Sequence, residues 1–164
     1  MKLLHTADWH LGKTLEGRSR LPEQRAFLEE LQLIADEENV DAILMAGDVF
    51  DTVNPPAAAE TLFYEAAVKL TSRGERPLII ISGNHDNPER LSASRPLAHT
   101  SGITIIGFPT TDPIEITVRN GQKLSIAALP YPSESRLNEC LTEGQEEDAL
   151  QLAYDDRVKK LFSD

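Results

Sequence analysis

Residues 78–86 read Leu-Ile-Ile-Ile-Ser-Gly-Asn-His-Asp, an apolar run that stops at Gly83 and passes directly into polar side chains. A short, mostly β-branched run without alternation is typical of a strand buried on both faces, as in a parallel sheet covered by helices. Ligand sites in open α/β sheets lie just beyond the carboxyl ends of the strands. We therefore expect functional residues at the end of this strand, at Asn84, His85 and Asp86.

The same arrangement occurs twice more along the chain. The strand-like segment 2–7 precedes Asp8-Trp9-His10, and the apolar segment 42–46 precedes Gly47-Asp48-Val49-Phe50-Asp51. If the three strands are parallel neighbours, their carboxyl ends meet at one edge of the sheet. The sequence therefore predicts one site assembled from three loops.

Two amphipathic helices separate these strands. The first begins at Pro22, ends near Asn39 and carries the apolar stripe Phe27, Leu28, Leu31, Ile34 and Ala35. The second follows Asn54-Pro55-Pro56, ends near Gly74 and carries the apolar stripe Leu62, Phe63, Ala66, Ala67 and Leu70. Strands that alternate with helices predict an α/β fold around a parallel sheet.

The remaining segments complete the prediction. Residues 13–21 and 87–101 are polar and are interpreted as loops, and residues 103–106 form a fourth apolar strand. Alternating apolar residues at 114–118 and 124–128 flank Asn120-Gly121, which predicts a hairpin with a type I′ turn, in a mixed sheet or a second sheet.

The acidic segment that follows the hairpin predicts a last helix. It begins at Glu146-Glu147-Asp148, where negative charge is favourable, and places Lys159-Lys160 near its end. One side of this helix is apolar and consists of Leu150, Ala153, Val158 and Leu161.

The composition of the chain excludes several classes of protein. A length of 164 residues is typical of one domain, and a formal net charge of −11 excludes a basic module that coats nucleic acid. A phosphodiester substrate stays possible because bound divalent cations can dominate the local charge. The single cysteine, Cys140, and the lack of a signal-peptide or membrane-spanning segment predict a protein of the reducing cytoplasm.

The polar residues after the three strands are suited to a pair of cations. Asp8 and His10 offer an oxygen and a nitrogen ligand, a combination that suits Mn²⁺, Zn²⁺ or Fe better than Ca²⁺ or Mg²⁺. Asp48 can bridge two ions with its two oxygens, and Asn84 can give a neutral oxygen to the second. Two ions about 3.5–4 Å apart clamp the attacking and leaving oxygens of a phosphoryl group.

Acid–base chemistry is assigned to the neighbouring residues. His85 is available to protonate a leaving oxygen or to stabilise the charge that builds there. Asp51 is placed to hold an imidazole in one tautomer. Each motif alone also has a structural explanation, as a turn aspartate with a surface histidine, a turn cap or an Asx turn. Because all three motifs follow a strand, we favour the shared site.

Other polar and aromatic residues are assigned structural roles. His5 lies within the first strand as a core or strand-end residue, and His99 lies in a polar loop with no partner motif, so neither is a candidate ligand. Trp9 is expected to pack beneath the metal loop, with stacking on a substrate as the alternative. Four arginines are expected to be solvated, with neutralisation of a phosphate as the alternative: Arg18, Arg20, Arg90 and Arg95.

The motifs resemble those of a known family. Residues 8–12, 47–51 and 83–86 resemble the first three motifs of the calcineurin-like metallophosphoesterases. The longer strings at 4–12 and 46–52, followed by Pro55-Pro56, are similar to a nuclease branch of that family.

The resemblance implies a layered α/β sandwich that uses two divalent cations, Mn²⁺ in this family. Its metal ligands would be Asp8, His10, Asp48 and Asn84, with His85 as the catalytic histidine and Asp51 as its partner. Members of the nuclease branch are exonucleases on double-stranded DNA ends and endonucleases on single strands and hairpins. They work in DNA repair, recombination and replication. The implied partners are DNA and an SMC-like ATPase, in a heteromeric complex with a dimer of the nuclease subunit, and no membrane.

The family pattern continues with Gly-His and Gly-His-x-His motifs, which supply three further histidine ligands, but this chain has no histidine after His99. We therefore expect residues 1–164 to be the N-terminal part of one nuclease domain, truncated before its last metal-binding motifs, without the cap and partner-binding regions. Such a piece is expected to bind metal poorly and to be nearly inactive alone. Two alternatives stay open: a metallophosphatase or cyclic-nucleotide phosphodiesterase with the same metal core, and a non-catalytic module for scaffolding or dimerisation.

Overall fold

The computed structural model describes residues 1–110 and 112–133, together with positions 156, 158 and 159. Its strands are β1 (Leu3–Thr6), β2 (Thr14–Leu15), β3 (Arg18–Ser19), β4 (Ala42–Ala46), β5 (Leu78–Ile81), β6 (Ile103–Ile106), β7 (Ile114–Thr117) and β8 (Lys123–Ile126). Its helices are α1 (Leu21–Glu37), α2 (Ala57–Leu70), α3 (Pro88–Ala93) and α4 (Arg95–His99). Strands β1, β4, β5 and β6 form a four-stranded parallel sheet in that order, which confirms the α/β class.

The sheet is covered on both faces, which explains why its strands are almost continuously apolar. Alternate residues such as Ile43 and Ile80 pack in one core with α1 and α2. The residues between them, such as Ile79, pack in a second core with the β7–β8 hairpin. The hairpin is therefore a separate two-stranded sheet, and the fold has three layers: helices, parallel sheet and hairpin.

Helix α1 has a narrower buried stripe than the sequence predicts. Leu28, Leu31 and Ala35 are buried, whereas Phe27 and Ile34 are 42% and 43% exposed. Phe27 and Ile34 are seven residues apart and lie on one edge of the stripe, outside the contact with α2 and the sheet. The helix ends as predicted, since Asn39 adopts a left-handed conformation with φ of 50°.

Helix α2 matches its predicted stripe, because all five of the predicted residues are buried. The interpretation of residues 87–101 as a loop is wrong. The segment forms α3 and α4, and α3 is capped by the Asn87 side chain, which accepts a hydrogen bond from the Arg90 N–H at 2.8 Å. The sequence signal was Asn87-Pro88, an N-cap residue followed by a proline at the first helical position.

The two-residue left-handed turn lies in the β2–β3 hairpin and not in the β7–β8 hairpin, where the sequence predicts it. At the β7–β8 turn only Gly121 is left-handed, with φ of 79°. A hydrogen bond from the Val118 N–H to the Gln122 carbonyl encloses a loop of three residues. The prediction of a type I′ turn, which has two residues, is therefore wrong. Between β2 and β3, in a segment interpreted as a loop, Glu16 and Gly17 have φ of 50° and 76°. That pair forms the two-residue left-handed turn.

Two predictions concern other parts of the chain. The acidic helix predicted to begin at Glu146 lies outside the described residues except for isolated positions, as does Cys140. In the part of the chain that the structure describes, none of the helices combines the length and apolarity needed to cross a bilayer.

Candidate metal centre

The three predicted motifs lie side by side at the carboxyl edge of the parallel sheet. Because β4 pairs with both β1 and β5, the segments that follow these strands are neighbours. Hydrogen bonds join the first two segments directly, from the N–H groups of Asp8, His10 and Leu11 to carbonyls of residues 47–49, at 2.9–3.0 Å. The His85 N–H joins the third by donating to Asp48 Oδ1 at 3.0 Å.

The backbone at this edge is held in an unusual conformation. Asp8, His10 and Asp48 have φ of 57°, 45° and 55°, in the left-handed region that side chains other than glycine rarely adopt. Each such residue costs about 1–3 kcal/mol and persists only where its surroundings over-determine it, which is common at functional sites. The hydrogen bonds between the loops supply that constraint.

Two glycines allow the loops to approach one another. Gly47 has φ of 91°, and a Cβ there would come within 2.9 Å of the Gly83 Cα. A Cβ on Gly83 would collide with the Asp48 carboxylate and backbone nitrogen. Gly47 therefore lets the second loop approach the third, and Gly83 leaves room for the carboxylate of Asp48.

Asp8, His10 and Asp48 form the first group of possible ligands. His10 Nε2 lies 3.8 Å from Asp8 Oδ1 and 3.7 Å from Asp48 Oδ2, too far for hydrogen bonds. One donor atom from each of the three residues lies within 4.8 Å of the others. Asp48 is 8% exposed, so its negative charge is largely desolvated and would be compensated by a cation. This donor set fits a divalent metal ion.

His10, Asp51 and His85 form a second, adjoining group with donor atoms at the same spacing. The His10 and His85 rings meet edge to face with centroids 4.8 Å apart. His85 Nδ1 lies 2.9 Å from the Asp51 carbonyl oxygen. Because a carbonyl only accepts, Nδ1 carries the proton and Nε2 is the basic nitrogen. The Asp51 carboxylate instead lies 3.4 Å from His10 Nδ1. Asp51 thus orients His85 through its backbone and faces His10 with its side chain.

The structure places five of the six predicted site residues in these two groups. Asp8, His10, Asp48, Asp51 and His85 belong to the two groups just described. Asn84 lies at the same edge between the other members of its motif, and it is exposed.

The residues that the sequence assigned to packing lie apart from these groups. Trp9 is 4% exposed and its Nε1 donates to Thr6 Oγ1 at 2.9 Å, which confirms its packing role. His5 and His99 are exposed and belong to neither group of described residues, and His5 is not a core residue.

Asp86 is a structural residue of the site that the prediction left without a role. It is 1% exposed, and its carboxylate accepts hydrogen bonds from the N–H groups of Val49, Phe50 and Gly83 at 3.1, 3.0 and 2.8 Å. One buried carboxylate therefore ties the loop after β4 to the loop after β5. The sequence signal was a carboxylate directly behind His85, but only the structure shows that it turns inward.

Two basic side chains contact the segment that follows β4. Lys13 Nζ lies 3.8 Å from Asp51 Oδ1 at the open side of the site. Arg90 on α3 is not simply solvated, because it donates to Glu60 on α2 at 2.9 Å and to Asn54 Oδ1 at 3.0 Å. The hydrogen bond and charge of Glu60 raise the pKa of Arg90, so the guanidinium stays charged. Because an exposed ion pair adds little to stability, the main effect of Arg90 is to tie α3 to α2 and to Asn54 in the loop that follows Asp51.

Residues 1–159 match the calcineurin-like phosphoesterase family, and the chain belongs to that family. Membership implies divalent metal ions, and the group formed by Asp8, His10 and Asp48 is a candidate to hold them. The chain is similar to the SbcD subunit of nuclease SbcCD from Bacillus subtilis, with 58% identity over 163 residues, which cover 99% of this chain and 42% of that protein.

Two further relatives carry the same name. The Rhodobacter capsulatus protein is 39% identical over 84% of this chain and 36% of its own length. The Escherichia coli K12 protein is 40% identical over 74% of this chain and 30% of its own length. The chain thus spans less than half the length of these relatives.

Proposed function

We propose that this chain is the N-terminal part of one nuclease domain. The domain hydrolyses phosphodiester bonds in DNA with two divalent cations, which we propose to be Mn²⁺. The convergence of Asp8, His10 and Asp48 at the ends of two neighbouring strands carries the proposal. Asp8, His10, Asp48 and Asn84 would hold the ions. When bound, two such cations supply the Lewis acidity that phosphodiester hydrolysis requires.

His85 is the proposed catalytic residue. Its Nδ1–H is engaged by the Asp51 carbonyl at 2.9 Å, which leaves Nε2 as the nitrogen that exchanges a proton. In its protonated form Nε2 would donate to the oxygen that leaves phosphorus, or stabilise the charge there. Asp51 supports this role by fixing the tautomer and the direction of the ring.

A DNA substrate is supported by the name that the relatives share, which describes them as part of the nuclease SbcCD. We propose double-strand exonuclease activity and single-strand or hairpin endonuclease activity in DNA repair, recombination and replication, in the cytoplasm. The name also supports a complex with SbcC. We propose that this partner is an SMC-like ATPase and that the nuclease subunit is a dimer within the complex.

The β2–β3 hairpin supports a DNA contact beside the site. It is anchored by Lys13, whose N–H donates to the His10 carbonyl at 3.0 Å, and it presents Arg18 and Arg20 to solvent. Lys13 lies beside the site, with its Nζ 3.8 Å from Asp51 Oδ1, and on a chain of net charge −11 these cations would neutralise phosphates of the substrate.

The test uses the protein extended to the length of its relatives, with Mn²⁺ and a hairpin DNA. Replacing His85 with Ala is expected to lower the cleavage rate by on the order of 10²–10⁴-fold, because general acid catalysis is lost. Mn²⁺ binding should persist, since His85 is not among the proposed ligands. His99→Ala is the matched control and should cleave normally. Unchanged cleavage by His85→Ala, or preference of the wild-type protein for a small phosphomonoester, would overturn the nuclease proposal.

The 164-residue chain by itself is proposed to bind Mn²⁺ weakly and to be nearly inactive. It contains four histidines, the last at His99, and therefore none of the three further histidine ligands that the family resemblance implies. Isothermal titration of residues 1–164 with Mn²⁺ should give no tight binding, whereas the extended protein should give two sites. Two tight sites on the 164-residue chain would contradict this prediction.

A further inference from the structure

Gln24 connects helix α1 to the loop that carries Asp8 and His10. Its Nε2 donates to the carbonyl of His10 at 2.6 Å and to the carbonyl of Trp9 at 3.3 Å. Its Oε1 accepts from the N–H of Gly12 at 3.1 Å. One side chain near the start of α1 therefore makes three hydrogen bonds within a span of four consecutive residues of this loop.

The chemistry of these partners requires an amide. The two carbonyl oxygens need a donor and the Gly12 N–H needs an acceptor, so the orientation of the Gln24 amide is determined by its surroundings. A glutamate of the same shape would keep the acceptor but would place negative charge against two carbonyl oxygens. A methionine of similar size would keep the packing and lose all three hydrogen bonds.

The loop is held from two sides, and Gln24 is the side-chain contact on one of them. The N–H groups of Asp8 and His10 donate to the loop after β4, at 3.0 Å each. The carbonyl of His10 turns the other way, towards α1, where Gln24 meets it. Because Asp8 and His10 are both left-handed, a small relaxation of this backbone would change the direction of the imidazole.

We infer that Gln24 is a positioning residue that sets the direction of the His10 side chain towards Asp8 and Asp48. The inference rests on the proposed role of these residues as metal ligands. Groups behind a metal ligand typically change metal affinity by about 10- to 100-fold when they are removed. Gln24 acts in this way through the backbone of the ligand.

The experiment compares Gln24→Met and Gln24→Glu with wild type in the protein extended to the length of its relatives. Gln32→Met and Gln32→Glu are the matched controls, because Gln32 lies two turns further along α1 and lines a surface groove with Val68 and Lys69. Mn²⁺ affinity is measured by electron paramagnetic resonance of the free ion, and thermal unfolding is measured without metal. Cleavage of hairpin DNA is measured at saturating Mn²⁺.

Both Gln24 variants are expected to bind Mn²⁺ about 10- to 100-fold more weakly than wild type, with Glu weaker than Met. Excess Mn²⁺ should restore most of the cleavage rate of Gln24→Met, a rescue that a merely structural defect would not allow. The inference would be overturned if wild type binds Mn²⁺ and both Gln24 variants bind it within about 3-fold of wild type. A change that small is less than the loss of affinity expected when a group behind a metal ligand is removed. Absence of Mn²⁺ binding by wild type would instead overturn the proposed function. If Gln24→Met unfolds, Gln24→Glu decides the question by the same affinity measurement.

Discussion

At the scale of single residues, the site depends on side chains that are neither proposed metal ligands nor proposed catalytic residues. Asp86 satisfies three backbone N–H groups from two loops, and Gln24 satisfies three backbone groups of a third loop. Gln24 acts on the backbone of the proposed ligand His10 itself, whereas Asp86 acts on Val49 and Gly83, the chain neighbours of the proposed ligands Asp48 and Asn84. The left-handed conformations of Asp8, His10 and Asp48 are therefore stabilised from outside the site.

Replacing Asp86 with Asn tests this dependence. The amide keeps one acceptor oxygen, but its NH₂ group would face backbone N–H donors, which leaves buried groups without partners. We expect the free energy of unfolding to fall by about 2–4 kcal/mol, since hydrogen bonds to a buried charged group are worth more than neutral ones. Urea denaturation measures this change. Asp112→Asn, at an exposed position, is the control and should change stability by less than about 0.5 kcal/mol.

Local sequence could predict which residues gather at the site but not how each one is held. Asp8, His10, Asp48 and His85 follow strands, and strand order alone brings them to one edge. The role of Gln24 depends on the packing of α1 against a loop 12 to 15 residues away, which no local pattern encodes. Likewise, the sequence suggests that Asp51 orients an imidazole but not that its carbonyl, rather than its carboxylate, contacts His85.

At the scale of elements, turn chemistry was the least predictable feature. Asn120-Gly121 favours a type I′ turn, yet the register of β7 and β8 leaves three residues in the loop, so only Gly121 becomes left-handed. Glu16-Gly17 lacks the usual asparagine, yet the pairing of Leu15 with Arg18 leaves two residues and forces both to be left-handed. Pairing between strands therefore overrides the preference of the turn residues.

The β2–β3 hairpin carries a prediction of its own. Replacing Arg18 with Glu is expected to weaken binding of hairpin DNA and to reduce the slope of log affinity against log salt by about one, because one phosphate contact is lost. Binding is measured with Ca²⁺ in place of Mn²⁺, because the mixed oxygen and nitrogen donor set suits Ca²⁺ less well and cleavage is not expected. Arg119→Glu is the control, since Arg119 lies in the β7–β8 turn and pairs with Glu75 at 3.6 Å. Equal salt slopes for both variants would remove the hairpin from the DNA-binding surface.

At the scale of the whole molecule, a polar edge and an apolar groove lie at different places on the described surface. The metal-centre residues occupy the carboxyl edge of the sheet. The apolar groove, of about 400 Å³, lies between α2, α4 and β6 and is lined by Phe63, Tyr64, Val68, Ser94, Leu97, Ala98, Ser101, Ile103 and Ile105. Leu97 is one of these lining residues and is 78% exposed. An exposed apolar surface can face the same surface of a second copy, as a two-fold interface requires. A second copy of the chain is therefore its proposed occupant.

Replacing Leu97 with Glu tests the proposed dimer. The introduced carboxylate would be buried against the apolar groove of the second copy, a cost large enough to separate the subunits. Sedimentation at micromolar concentration should therefore show a dimer for the wild-type extended protein and a monomer for Leu97→Glu. The Mn²⁺ affinity of Leu97→Glu should be unchanged, because the groove is distinct from the metal-centre residues. Leu33→Glu is the matched control, since Leu33 is 59% exposed on α1 and lies outside the groove. A dimer that persists in Leu97→Glu would show that the subunits meet at another surface. A monomeric wild type would contradict the proposed dimer.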